Sequence, residues 1–441
     1  MGTKMTEFSS ELLRERYVCV EHRSGLNIYV FPKKLTTSYA VLAANFGSVD
    51  QTFRVSGTDE TVTLPDGIAH FLEHKLFENE DGSDSFEHFA ALGADANAYT
   101  TYNRTSYLFS ATANFEESLE ELLRFVTHPH FTPASVKKEQ GIIAQEINEY
   151  EDSPWERCYQ MLLEAMYDSH PVRKNILGSV ESIGTITPPL LYDCHRVFYH
   201  LSNMALVVCG DVTVGQVLAV ADRVLPKKAT EMPIERIIPT EPPHVVRSFV
   251  EGRMPVSKPI FCIGIKDPCV PADPMERLRR DTALTLLDEI LFSRAGEFYN
   301  ELFEENIVTP AFSGGYSCTD GFGFHSVSGE SESPELVLER LKEYLARMRR
   351  EGIDEETFER CRRVLYADEL RAYDSTEEIA NRMTSFVVED TDMLSYPAVL
   401  QSMTRAEVEV LLGEVFREEY FTLAVIRPLE DENKKREDEK A

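Results

Sequence analysis

Asp66-Gly67-Ile68-Ala69-His70-Phe71-Leu72-Glu73-His74 carries three chemically active side chains within its last five positions. Ile68, Phe71, Leu72 and Leu76 recur at helical spacing. They predict a helix over about 68–77 with an apolar stripe against a core. Asp66 stands where an N-cap belongs. His70 and His74 are four residues apart, so a helix puts both imidazoles on one face, one turn apart. There they can reach one tetrahedral ion. Glu73 lies beside both, where a carboxylate can take a proton from water held at that ion.

A catalytic metal site needs a third protein ligand and an open position. The segment Glu139-Gln-Gly-Ile-Ile-Ala-Gln-Glu146-Ile-Asn-Glu149 is helical in pattern. It follows an N-cap and first-turn proline at Thr132-Pro133. Glu139 and Glu146 are seven apart, two turns on one face. One can ligate zinc while the other orients a ligand from behind. H-x-x-E-H reverses H-E-x-x-H and is the inverted zincin signature. The other histidines read otherwise. His128-Pro129-His130 and His170-Pro171 read as turns, and His88 as a surface or packing residue. Beyond Val245 the one histidine is His325, so no second zinc site is expected.

Around these helices the chain reads as two halves. Residues 1–225 form the zinc-bearing half, 226–244 a linker rich in Pro and charge, and 245–441 a second half without the site. In the first half, strand-like residues 39–45 precede the 68–77 helix. Strand sequence at 97–110, several amphipathic helices and a last strand at 204–208 follow. The second half repeats the order, with strand at 260–265, helix at 282–302 and strand sequence at 311–328. Helices at 335–348 and 355–373 precede a last strand at 421–426. This order predicts an α+β fold of two homologous domains, each a mainly antiparallel sheet packed by helices. Ser153-Pro154-Trp155-Glu156 predicts a capping box, with Trp155 a packing anchor.

The chain has 441 residues, 43% of them hydrophobic, so more than one folded core is expected. Its net charge of -30 repels phosphate backbones and argues against nucleic acid. Eight scattered cysteines with no C-x-x-C pair read as reduced residues of a cytoplasmic protein. No apolar h-region opens the chain, and no run long enough to span a membrane occurs.

At these residues the chain resembles the insulinase/pitrilysin family of zinc peptidases, in particular the bacterial two-domain subunits of mitochondrial-processing-peptidase type. The stretch 66–74 carries the resemblance, with Ala96-Asn-Ala-Tyr-Thr100, Arg104-Thr-Ser-Tyr107, Gln145-Glu146-Ile147 and Tyr150-Glu-Asp-Ser-Pro154. It implies His70, His74 and Glu146 as zinc ligands, Glu73 as general base and Glu139 as the supporting acid. It also implies that Asn97 and Ala98 begin an edge strand on which an extended peptide lies. Such members hydrolyse peptides or unstructured segments as zinc metalloendopeptidases. The resemblance places an Arg and a Tyr, seven residues apart, in the second domain. Here Phe303 and Pro310 stand at those positions, and neither side chain can donate a hydrogen bond. A heterodimer with an Arg/Tyr-bearing family member is therefore expected, with a homodimer using Tyr316 as the alternative. A non-catalytic scaffold or peptide-binding subunit is the competing reading.

Overall fold

The computed structural model describes residues 4–55, 60–228 and 232–430. Its strands in chain order are β1 Lys4–Ser10, β2 Glu15–Glu21, β3 Asn27–Pro32, β4 Ser38–Ala44, β5 Thr52–Val55, β6 Thr61–Thr63, β7 Ala94–Thr100, β8 Thr105–Ala111, β9 Met204–Gly210, β10 Ile234–Arg236, β11 Phe249–Met254, β12 Ile260–Lys266, β13 Ser313–Thr319, β14 Phe322–Glu330 and β15 Phe421–Pro428. The helices are α1 Ile68–Lys75, α2 Ser85–Leu92, α3 Phe115–Thr127, α4 Pro133–Asp152, α5 Pro154–Met166, α6 Val180–Gly184, α7 Pro188–Phe198, α8 Val214–Val224, α9 Pro274–Phe292, α10 Glu297–Glu304, α11 Pro334–Glu351, α12 Glu355–Ala372, α13 Thr376–Val388, α14 Tyr396–Ser402 and α15 Arg405–Val415.

These elements form two compact units, neither of which is continuous in sequence. The first comprises Met1–Ile147, Lys174–Pro239 and Tyr366–Val399; the second comprises Asn148–Arg173, Thr240–Leu365 and Leu400–Ala441.

The first unit is built on a seven-stranded sheet ordered β1-β2-β3-β9-β4-β8-β7. β4 and β9 are buried along their whole length, as expected for strands covered on both faces. Their side chains alternate between two cores. Ala40, Leu42, Leu206 and Val208 face one core, shared with Phe71 and Leu72 of α1. Tyr39, Val41, Val207 and Cys209 face the other, closed by Ile379, Ala380 and Met383 of α13. A helix from late in the chain thus completes the unit formed mostly by the early chain.

The second unit holds a five-stranded sheet ordered β11-β15-β12-β14-β13. Here the early chain contributes the covering helix, because α5 packs on β12 and β15. The order repeats β3-β9-β4-β8-β7 strand for strand. In both sets of five strands the first pair, β3-β9 or β11-β15, is parallel and the others are antiparallel. The α+β architecture and the duplication expected from element order are therefore present, including the mainly antiparallel sheets.

Several local expectations are corrected. The helix read over 282–302 is two, α9 and α10, with a break from Ser293 to Gly296. α9 begins earlier, where the Asp273 side chain caps it. Ser153 precedes α5 without a side-chain cap bond, so the capping box does not form. Trp155 is 38% exposed, a surface residue rather than a buried anchor. In the Pro-rich stretch, Ile234–Arg236 pairs with β5 as a strand.

Candidate metal centre

α1 starts at Ile68 after Gly67, whose φ of 86° is left-handed. Asp66 is not the cap. Its carboxylate pairs with Lys174 at 2.9 Å, and its carbonyl accepts from Ser182 Oγ at 2.8 Å. Glycine is required at 67 by contact as well as by φ. A Cβ there would lie 2.3 Å from the Leu177 carbonyl oxygen. Ile68, Phe71 and Leu72 bury as their spacing predicts. That packing turns His70, Glu73 and His74 toward α4 and β7.

α4 starts at Pro133, and Thr132 Oγ1 accepts from the Ser135 N–H. Val136, Ile143 and Ile147 are its buried apolar residues. They set the rotation that places Glu139 and Glu146 at α1, where the two carboxylates meet different atoms. Glu146 Oε1 lies 3.7 Å from His70 Nε2, and Glu146 Oε2 lies 3.6 Å from His74 Nε2. Glu139 Oε1 lies 3.1 Å from His74 Nδ1. The proton of neutral His74 thus belongs on Nδ1, toward Glu139, leaving the Nε2 lone pair toward Glu146.

The ligand atoms of His70, His74 and Glu146 all lie within 4.8 Å of one another. The His–Glu separations exceed hydrogen-bond length. They approach the ~3.4 Å ligand-to-ligand edge of a tetrahedron with metal–ligand bonds near 2.05 Å. His70 Nδ1 is buried with no hydrogen-bond partner among the described residues. Burial, with His74 next to it, lowers the His70 pKa to about 3, so the ring is neutral as a ligand must be. At His74 burial works the same way, but Glu139, Glu73 and Glu146 outweigh it and raise the pKa. Burial raises the Glu73 carboxyl and Glu146 adds to the rise, against the Thr100 hydrogen bond and His74. Three carboxylates around two imidazoles fit a divalent cation, which offsets their mutual repulsion.

Asn97 and Ala98 lie mid-strand in β7, which begins at Ala94 rather than at Asn97. β7 is an edge of the seven-stranded sheet. The Asn97 Oδ1 accepts from the Ala98 N–H at 2.8 Å. A cavity of about 730 Å³ in this unit is lined by Glu73, His74, Asn97, Ala98, Phe77 and Ile142, among others.

Two neighbours were not singled out from sequence. Thr100 Oγ1 donates to Glu73 Oε2 at 2.6 Å. Lys75, only 1% exposed, pairs with Glu78 and lies 4.0 Å from Glu139 Oε2. The period of two along β7, which puts Thr100 on the face of Ala98, was the available signal for the first. A lysine within an apolar helical stripe was the signal for the second.

The remaining candidates lie elsewhere. His88 pairs with Glu121 at 3.0 Å. His170 is 1% exposed, deeper than a turn predicts. In the second unit Phe303 is 42% exposed and stacks on Tyr299. The Tyr316 hydroxyl donates to Asp267, which Arg280 also holds, so that donor is already engaged. Among the described residues no helix is long and apolar enough to cross a membrane.

Residues 59–180 match the family described as Insulinase (Peptidase family M16), and residues 185–365 match the Peptidase M16 inactive domain. The uncharacterized zinc protease YmfH of Bacillus subtilis (strain 168) is 38% identical over 421 residues, covering 95% of this chain and 98% of that protein. An uncharacterized zinc protease of Rickettsia felis is 23% identical, over 85% of this chain and 89% of its own length. The crystal structure of an M16-like peptidase from Alicyclobacillus acidocaldarius superposes with a TM-score of 0.89 at 35% identity, covering 97% and 99% of the two chains.

Proposed function

We propose, from the premise that this chain belongs to the insulinase family of peptidases, family M16, that it is a zinc metalloendopeptidase subunit. Its substrates are peptides or unstructured protein segments. The observation that carries this reading is the convergence of His70, His74 and Glu146 beside a half-buried Glu73. His70, His74 and Glu146 hold zinc. Glu139 orients His74 through Nδ1. Zinc, when bound, supplies a Lewis acid and a water acidified towards neutrality.

The chain's own residues do the rest. Glu73 takes the proton of the attacking water and returns it to the leaving amine. An extended peptide adds to the β7 edge beside Asn97 and Ala98, in the cavity that also reaches Glu73 and His74. Main-chain pairing of that kind tolerates varied side chains.

A partner subunit supplies the missing oxyanion donors. Phe303 and Pro310 carry no side-chain donor, and Tyr316 already donates to Asp267. One such donor is worth about two to three decades of rate. The isolated chain is therefore a weak enzyme, and a heterodimer is favoured over a homodimer. The same deficit favours the second reading, a non-catalytic scaffold or peptide-binding subunit. None of the eight cysteines forms a disulfide, which supports a reducing compartment, the cytoplasm.

The experiment is metal analysis and cleavage of unstructured peptides, by the chain alone and with the subunit that co-purifies with it. Glu73→Gln should retain zinc and lose turnover by at least about 100-fold. Cleavage untouched by Glu73→Gln would sink the mechanism. A wild-type chain that takes up no zinc at micromolar metal would favour the scaffold reading.

A further inference from the structure

Glu73 leans on one side chain. Among the described residues, Thr100 makes the hydrogen bond to its carboxylate, at 2.6 Å on Oε2. An ionised carboxylate only accepts, so the Thr100 hydroxyl is the donor, and the neighbouring threonine does not compete for it. Thr105 Oγ1 donates to the Phe46 carbonyl at 2.9 Å, so its hydrogen is committed. It lies 3.4 Å from Thr100 Oγ1, too far to compete with a carboxylate at 2.6 Å. Thr100 therefore donates its hydrogen bond to Glu73 Oε2.

Thr100 itself is firmly placed. It ends β7 and pairs with Thr105 of β8. From the opposite face of the strand, Tyr99 donates to Asn381 at 3.3 Å, and Arg104 donates to Ser385 at 2.9 Å. Both partners lie on α13, within the same compact unit. The hydroxyl is thus held by a hairpin fixed on its far side. It also lies on the edge strand that carries Asn97 and Ala98. Strand periodicity puts Ala98 and Thr100 on one face.

We infer that Thr100 is a positioning residue that fixes the Glu73 carboxylate relative to the β7 edge, so that a peptide paired with that edge meets a base already aligned. The inference rests on the reading of Glu73 as general base and of β7 as the peptide edge. It concerns alignment in the turnover step, so the effect falls on kcat and spares KM. A displacement of about 1 Å at a reacting group costs on the order of 100-fold.

The test compares Thr100→Val, which keeps the shape and removes the donor, with Thr100→Ser, which restores it. Each is studied as the full chain with its co-purifying subunit. Thr100→Val should lower kcat about 10- to 100-fold with KM, zinc affinity and melting temperature near wild type, and Thr100→Ser should recover most of the loss. Crystal structures of both variants supply a readout independent of turnover. The Glu73 carboxylate should leave its wild-type position in Thr100→Val and keep it in Thr100→Ser. A carboxylate unmoved in Thr100→Val overturns the inference, as does a loss confined to KM or one that serine fails to restore. If the wild-type chain cuts no peptide, the peptidase reading fails, and the crystal structures still decide the role of Thr100.

Discussion

Single side chains set the chemistry of the centre through the atoms they present. Glu139 and Glu146 are equivalent in sequence pattern, yet one meets His74 Nδ1 and the other faces the Nε2 atoms of both rings. Glu139→Gln should therefore keep the fold and weaken zinc binding about 10- to 100-fold, measured by competition with a chelator. Unchanged affinity would show that Glu139 does not support His74. His170 makes a separate prediction about stability. Its Nδ1 accepts from the Val172 N–H at 3.1 Å, which only a ring unprotonated there can do. Burial lowers its pKa from 6.5 to about 4; Glu241 opposes the shift and Lys266 adds to it. The unfolded chain thus binds the extra proton first as pH falls. The stabilisation is complete above pH 6.5, declines through the interval from 6.5 to 4, and is gone below. Its size is on the order of 3 kcal/mol. In His170→Asn the side-chain oxygen can accept the same N–H without titrating. Urea midpoints of this variant should fall less between pH 7 and pH 4.5 than those of wild type; identical slopes would contradict the assignment.

Elements place those side chains, and their ends matter most. α1 is only eight residues long and lacks a side-chain cap, so its start depends on backbone packing. Gly67 sits against Leu177, and Gly178, at φ +77°, sits against the Asp66 carbonyl. Gly67→Ala imposes a left-handed conformation on an L-residue, at about 1–2 kcal/mol, before any clash with Leu177. The variant should melt at lower temperature and bind zinc more weakly, because His70 is three residues into the displaced helix. Calorimetry with and without metal checks this. A variant with wild-type melting and affinity would show that the turn has slack.

Across the molecule, the two compact units each borrow a covering helix from the other half of the sequence. In the first unit Ile379, Ala380 and Met383 of α13 close the core over Tyr39, Val41 and Val207. A fragment of residues 1–239 would leave that sheet face in water. Apolar faces of this kind drive association or a loosely packed state. The fragment should bind a hydrophobic dye and show little near-ultraviolet circular dichroism, whereas the full chain should show native signals. A well-ordered monomeric fragment would mean that α13 is dispensable to the fold.

Features that depend on local periodicity were legible in the residue order alone. His70 and His74 at four-residue spacing share a helix face wherever the helix sits. The apolar runs of 39–45, 204–208, 260–265 and 421–426 marked the central strands, because strands buried on both faces need no polar alternation. The order of elements exposed the duplication that the two sheets then displayed strand for strand. Tertiary structure decided whatever joins residues distant in the chain. It capped α1 with Gly67 against Leu177 where local pattern favoured Asp66. It gave Glu139 and Glu146 different atoms to face, brought Thr100 to Glu73, and sent α5 and α13 to sheets outside their own halves. Periodicity fixes which residues share a face. Only the packing of one face on another fixes which atoms meet, because that depends on the summed contacts of the whole core.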